Sequence, residues 1–152
     1  MSRLFGVVLG AVLVVSGAAG AQQPGRAVDT LQKQLLKLAL DNLDQAICDK
    51  AKCTPATDEE RRNPPLSDDQ VKAIISVGTL STLAEHCGLD WKRRNFQPLM
   101  QIHRKRMKMS ERQVALAGLL HGITMGVTGN TIRSQPCTQK LKAEVDQKLI
   151  LK

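Results

Sequence analysis

Aromatic side chains are nearly missing from this 152-residue chain, which has one Trp, two Phe and no Tyr. Its core must therefore be filled by Leu, Ile, Val, Met and Ala, and it has few rings on which unpaired bases could stack. Also absent are a Gly-x-Ser-x-Gly elbow, a Walker loop, a dinucleotide glycine pattern and a His-Glu-x-x-His helix. The chain thus offers none of the common local frameworks for acyl transfer, nucleotide chemistry or zinc hydrolysis, and the expectation is a protein that is not an enzyme. The acidic groups Asp68-Asp69 and Asp58-Glu59-Glu60 fall at a helix start and in a connector. There they suit helix capping and the helix dipole better than acid–base work. No strand-like alternation and no long apolar run occur after the first 21 residues.

What is present begins with Met1-Ser2-Arg3, an uncharged apolar run from Leu4 to Val15, and small residues ending in Ala19-Gly20-Ala21. This order predicts a cleavable signal peptide over residues 1–21, cut before Gln22. The apolar run is shorter than the roughly 20 residues that a spanning helix requires. The expected mature chain has a flexible terminus at 22–28 and a single helical domain at 29–152, periplasmic or secreted, with no stable transmembrane segment. All four cysteines, Cys48, Cys53, Cys87 and Cys137, lie in that domain. An even count in an exported chain predicts two disulfides. Spacing alone allows three pairings, of which a local Cys48–Cys53 clip with a distant Cys87–Cys137 staple is preferred.

Apolar residues recur at helical steps from Asp29 onward, at Leu31, Leu35, Leu38, Ala39, Ala46 and Ile47, so a first helix is expected to end near Cys48–Cys53. Residues 54–66 read as a polar connector broken by Pro64-Pro65. Ser67-Asp68-Asp69-Gln70 has capping-box spacing and opens a second helix, for which Gly88 supplies the stop. A third helix is expected over about 90–107, anchored by Trp91 and Phe96, with Pro98 in its first turn or kinking it. Ser110-Glu111-Arg112-Gln113 opens a fourth, central helix to about Met125, in which Gly118 and Gly122 allow close approach of a neighbour. A Gly- and Thr-rich loop, 126–136, and a short helix, 138–150, complete an all-α bundle of four to five helices.

The formal net charge is +8, and it is concentrated. Residues 22–85 hold 8 basic and 10 acidic residues, whereas 86–112 hold 8 basic and 2 acidic. Lys92, Arg93, Arg94, Arg104, Lys105, Arg106 and Lys108 therefore form the candidate binding surface. Such a cluster raises the local density of anionic partners. An anionic protein or a cell-envelope component is the expected partner; the plain alternative is a solvated helix face. His103-Arg104-Lys105-Arg106 resembles a phosphate-contacting run, but export and the shortage of aromatics count against nucleic acid.

A second candidate site uses thioether and imidazole donors, which suit copper. Met100, His103 and Met107 share one face of the third helix, and His121 and Met125 one face of the fourth. Methionines at helical spacing are more often core filler, so no cofactor is expected. The leading expectation is a non-enzymatic exported binding or accessory protein. The alternatives are a copper-binding protein and a disulfide-held structural subunit or small chaperone of the envelope.

Overall fold

A computed structural model describes residues 24–151, with side chains from residue 29. The expected signal peptide lies outside the described residues. The chain is mostly helical. Helix α1 (Pro24–Asp41) leads through a short 3-10 turn (Leu43–Gln45) to a two-residue hairpin, β1 (Ile47–Cys48) with β2 (Ala51–Lys52). A one-turn α2 (Asp58–Arg62) precedes α3 (Asp68–His86). Next comes a continuous helical run over 91–106, whose centre is α4 (Gln97–Gln101). Helices α5 (Glu111–Arg133) and α6 (Gln139–Lys148) follow. No helix of the described residues is long and apolar enough to cross a membrane.

Both capping boxes form as their spacing predicts: Ser67 with Gln70 and Ser110 with Gln113 each exchange side-chain and backbone bonds. A third, Thr57 with Glu60, starts α2 inside what the sequence reads as an irregular connector. Gly88 stops α3 at φ 67°, and its N–H bonds to the Glu85 carbonyl while the Leu89 N–H reaches back to Ala84. That is the paired-bond C-terminal motif in which glycine takes the left-handed position at no steric cost.

The main axis of the fold is α3 against α5. A Cβ on Gly78 would lie 2.9 Å from Thr124 Cβ and 3.1 Å from the His121 carbonyl oxygen, so only glycine lets the backbones come this close. Around it the seam is lined by small, fully buried polar residues, Ser81, Thr82 and Thr124. The threonines satisfy themselves on the preceding turn: Thr82 Oγ1 donates to the Gly78 carbonyl at 3.1 Å and Thr124 Oγ1 to that of Leu120 at 2.7 Å. Leu35, Ala39, Leu40 and Leu43 bring α1 and its 3-10 turn onto Ile74, Leu116 and Leu120. A smaller cluster, Ala84, Val145 and Leu149, packs α6 on α3.

Disulfides join Cys48 to Cys53 and Cys87 to Cys137, the preferred pairing. The first closes the hairpin, and the second ties the end of α3 to the start of α6. Closing the 50-residue span of the second contributes roughly 4 kcal/mol in a chain-entropy account. Two disulfides are the chemistry of a chain folded outside the reducing cytoplasm.

Several boundaries differ from the sequence expectation. Helix α1 starts at Pro24, within the terminus expected to be flexible, and proline suits a first turn because its missing N–H has no partner there. It ends at Asp41, not near Cys48, where Asn42 turns out of the helix and its side chain caps the Leu38 carbonyl at 2.8 Å. Leu31, Leu38 and Ile47, read as core-facing, are 45, 43 and 59 % exposed. Residues 126–133 extend α5 where a loop was expected. Thr128 holds the helix on course, donating to the Thr124 carbonyl at 2.7 Å and meeting Thr82 Oγ1 at 3.0 Å. The close approach expected at Gly118 and Gly122 occurs at Gly78 instead, since space above Gly122 is open and Gly118 makes only an ordinary 3.8 Å contact with Met100.

Two substitutions check the seam. Gly78→Ala is expected to destabilise by about 1–3 kcal/mol, the overpacking cost exceeding alanine's helical advantage. Gly118→Ala, facing ordinary contact distance, is expected to be neutral or to stabilise by up to about 1 kcal/mol. Urea unfolding midpoints read both.

Candidate binding surface

The basic helix is shaped by Pro98. Proline has no N–H to continue the ladder, so the preceding turn opens and the carbonyl of Arg94 is left free. The flanking turns Lys92–Phe96 and Ile102–Arg106 are wound as π-helix, with bonds five residues apart such as Gln97 N to Lys92 O. The freed Arg94 carbonyl accepts from the Leu151 N–H at 2.9 Å. Arg94 Nε returns a bond to the Leu151 carbonyl at 3.0 Å, and its Nη1 reaches Asp146 Oδ1 at 2.6 Å. A helix-breaking residue thus becomes the docking point for the C-terminal segment.

The seven expected cations do not share one surface role. Arg94 is a structural clamp with its side chain only 18 % exposed. Arg93 pairs with Asp90 at 3.7 Å and Arg104 with Glu111 at 3.4 Å, both exposed. Lys92, Lys105, Arg106 and Lys108 are exposed, and among the described residues they form no ion pair within 4 Å. Of these, Lys105 and Arg106 converge on a cleft of about 430 Å³ between the 91–106 run and the C-terminal segment. Its other walls are Pro98, Gln101, Ile102, Ile150 and Leu151, so two free cations stand beside an apolar floor.

Arg112, which counts toward the sequence excess, is likewise committed. Its Nε and Nη2 make a two-pronged contact with Glu60 at 2.5 and 2.7 Å, and its Nη1 and Nη2 bond the Thr54 and Pro55 carbonyls at 3.0 and 3.1 Å. This pins the connector to the start of α5. The guanidinium holds the Glu60 carboxyl down at about 2.

The thioether and imidazole set is divided by the fold. His103 Nδ1 lies 3.3 Å from Met107 Sδ, and His103 is buried, which holds its pKa below the usual range. His121 instead lies in the α3–α5 seam, its Nε2 2.9 Å from Ser81 Oγ. Trp91 stacks on its ring at 6.0 Å and Phe96 packs at 4.9 Å. Met100 is buried under Gly118, and Met125 is half-buried. No group of three or more His, Cys, Asp or Glu gathers to hold a metal among the described residues.

The Ser81–His121 contact has the atoms of a nucleophile–base pair but not the access. Ser81 is fully buried, and Asn95 Nδ2 donates to its Oγ at 2.8 Å and to the Val77 carbonyl at 3.1 Å. This network, invisible in the sequence because its members are 14 and 40 residues apart, anchors the basic helix to the seam. No protein-family model, curated protein or solved structure matches the chain.

The Glu60 clamp gives a pH test. Its depressed folded-state pKa contributes stability above the unfolded value near 4.5, lost as pH falls through about 2. Glu60→Gln is expected to cost about 1–3 kcal/mol at pH 7 and to flatten the acid limb of a stability–pH curve between those values. Thermal unfolding across that range measures it.

Proposed function

We propose that the protein is an exported, non-enzymatic binding protein of the periplasm or the cell exterior, and that it presents its basic helix to an anionic partner, a protein or a cell-envelope component. The observation that carries this reading is the cleft in which Lys105 and Arg106 stand unpaired beside Ile102, Ile150 and Leu151. Free cations at an apolar floor suit a ligand with both anionic and apolar parts. Charge steers the encounter, and burial against the floor slows release. The cluster carries this role through Lys105 and Arg106, with Lys92 and Lys108 extending the field along the helix; Arg93, Arg94 and Arg104 are held by carboxylates.

The test compares two triple reversals of equal net charge. Lys105→Glu with Arg106→Glu and Lys108→Glu alters the two cleft cations and the free lysine that follows them, and Lys50→Glu with Lys72→Glu and Lys142→Glu alters exposed lysines elsewhere. Binding to phosphatidylglycerol vesicles and to immobilised polyglutamate is measured at 0.15 M salt, with unfolding midpoints as a folding control. The cleft variant is expected to lose at least about tenfold affinity for one probe while the control loses much less. Equal losses would reduce the surface to general charge and overturn the proposal.

A further inference from the structure

We infer that the outward face of α5 is the seat of a symmetric dimer with a second copy of this chain, the two α5 helices crossing antiparallel about Gly122. From Gln113 to Gly129 the helix carries no charged residue on any side, although one side faces solvent. That side lies in an open groove of about 560 Å³, floored by Gly118 and Gly122 and walled by Phe96, Met100, Leu119 and Ile47, with Arg104, the partner of Glu111, its one charged lining residue. A Cβ on Gly122 or Gly126 would meet nothing within 4 Å. Ile47, at the groove's edge, is 59 % exposed. An uncharged helix face of this length left to water is unusual for a monomer and fits burial against another helix.

Charge says which helix. The ends of this face carry Glu111 and Arg133, eleven residues to either side of Gly122. At 100° per residue Glu111, Ala115, Gly118, Gly122, Gly126 and Arg133 fall within an arc of about 80°. An antiparallel copy centred on Gly122 therefore sets each Glu111 opposite the partner copy's Arg133, about 16 Å from the crossing point on both sides. The arrangement is isologous and closes at two subunits, since each patch meets its own image. Within one chain both groups hold only exposed pairs, Glu111 with Arg104 at 3.4 Å and Arg133 with Glu85 at 2.9 Å, which exchange readily. Glycines at the crossing let the backbones approach closely, as small residues do wherever helices pack tightly.

Sedimentation velocity on the purified protein over a micromolar concentration series tests this. A concentration-dependent shift to twice the monomer mass is expected, and Gly122→Leu should abolish it without lowering the unfolding midpoint measured in dilute solution. Glu111→Arg or Arg133→Glu alone should weaken association about tenfold, and the two together should restore it, because the pairs re-form with signs exchanged. A protein that stays monomeric at 100 μM, a dimer indifferent to Gly122→Leu, or a double reversal that fails to rescue would each overturn the inference.

Discussion

The close approach of α3 and α5 at Gly78 is the constraint on which the rest of the structure depends. Two helices brought this near cannot interdigitate large side chains, so the contact is made by Gly78, Ser81, Thr82, Thr124 and Thr128. Small polar side chains are cheap to bury only when each finds a hydrogen-bond partner, and here the threonine hydroxyls donate to carbonyls of their own helices while Ser81 Oγ meets His121 Nε2 across the seam. In a chain almost without aromatics, its remaining Trp and its one described Phe are spent at this seam, on His121. Asn95 then carries the seam outward into the basic helix through Ser81 and the Val77 carbonyl.

The second organising element is Pro98. By releasing the Arg94 carbonyl it fixes where the C-terminal segment lies, and Arg94 seals that position against Leu151 and Asp146. The Cys87–Cys137 link holds the other end of α6 to α3. The cleft beside Lys105 and Arg106 is the gap these two tethers leave. A dimer through α5 would carry two such clefts, and a partner with repeated anionic groups could then be held by both at once. The charge cluster is thus resolved into parts: Arg94 and Arg112 hold the fold, Arg93 and Arg104 are paired at the surface, and the remaining four cations are free to meet a partner.

What could be read from the sequence was local. Capping boxes at Ser67 and Ser110 and the glycine stop at Gly88 are decided by residues three or four apart, and they form as read. The helical class followed from periodicity, and the presence of two disulfides from the expected export and an even cysteine count, while spacing alone left three pairings. What escaped was set by partners far along the chain. Gly78 looked unremarkable beside Gly118 and Gly122 because its meaning depends on Thr124, 46 residues on. The 126–133 stretch has loop composition, yet the Thr82–Thr128 contact keeps it helical, tertiary packing overriding propensity. Charge clustering located the basic helix but could not tell a clamp such as Arg94 from a free cation such as Lys105.

The protonation state of His121 tests the seam most directly. Ser81 Oγ accepts from Asn95 Nδ2 and lies 2.9 Å from His121 Nε2, and burial pushes the imidazole pKa down to about 4. A neutral buried histidine contributes stability that is complete above the unfolded value near 6.5 and is lost as pH falls toward 4. Long-range proton–nitrogen NMR on the folded protein should find this ring neutral at pH 5.5, charging only near pH 4. A ring that titrates near 6.5 while the protein stays folded would contradict the buried seam and the packing built on it.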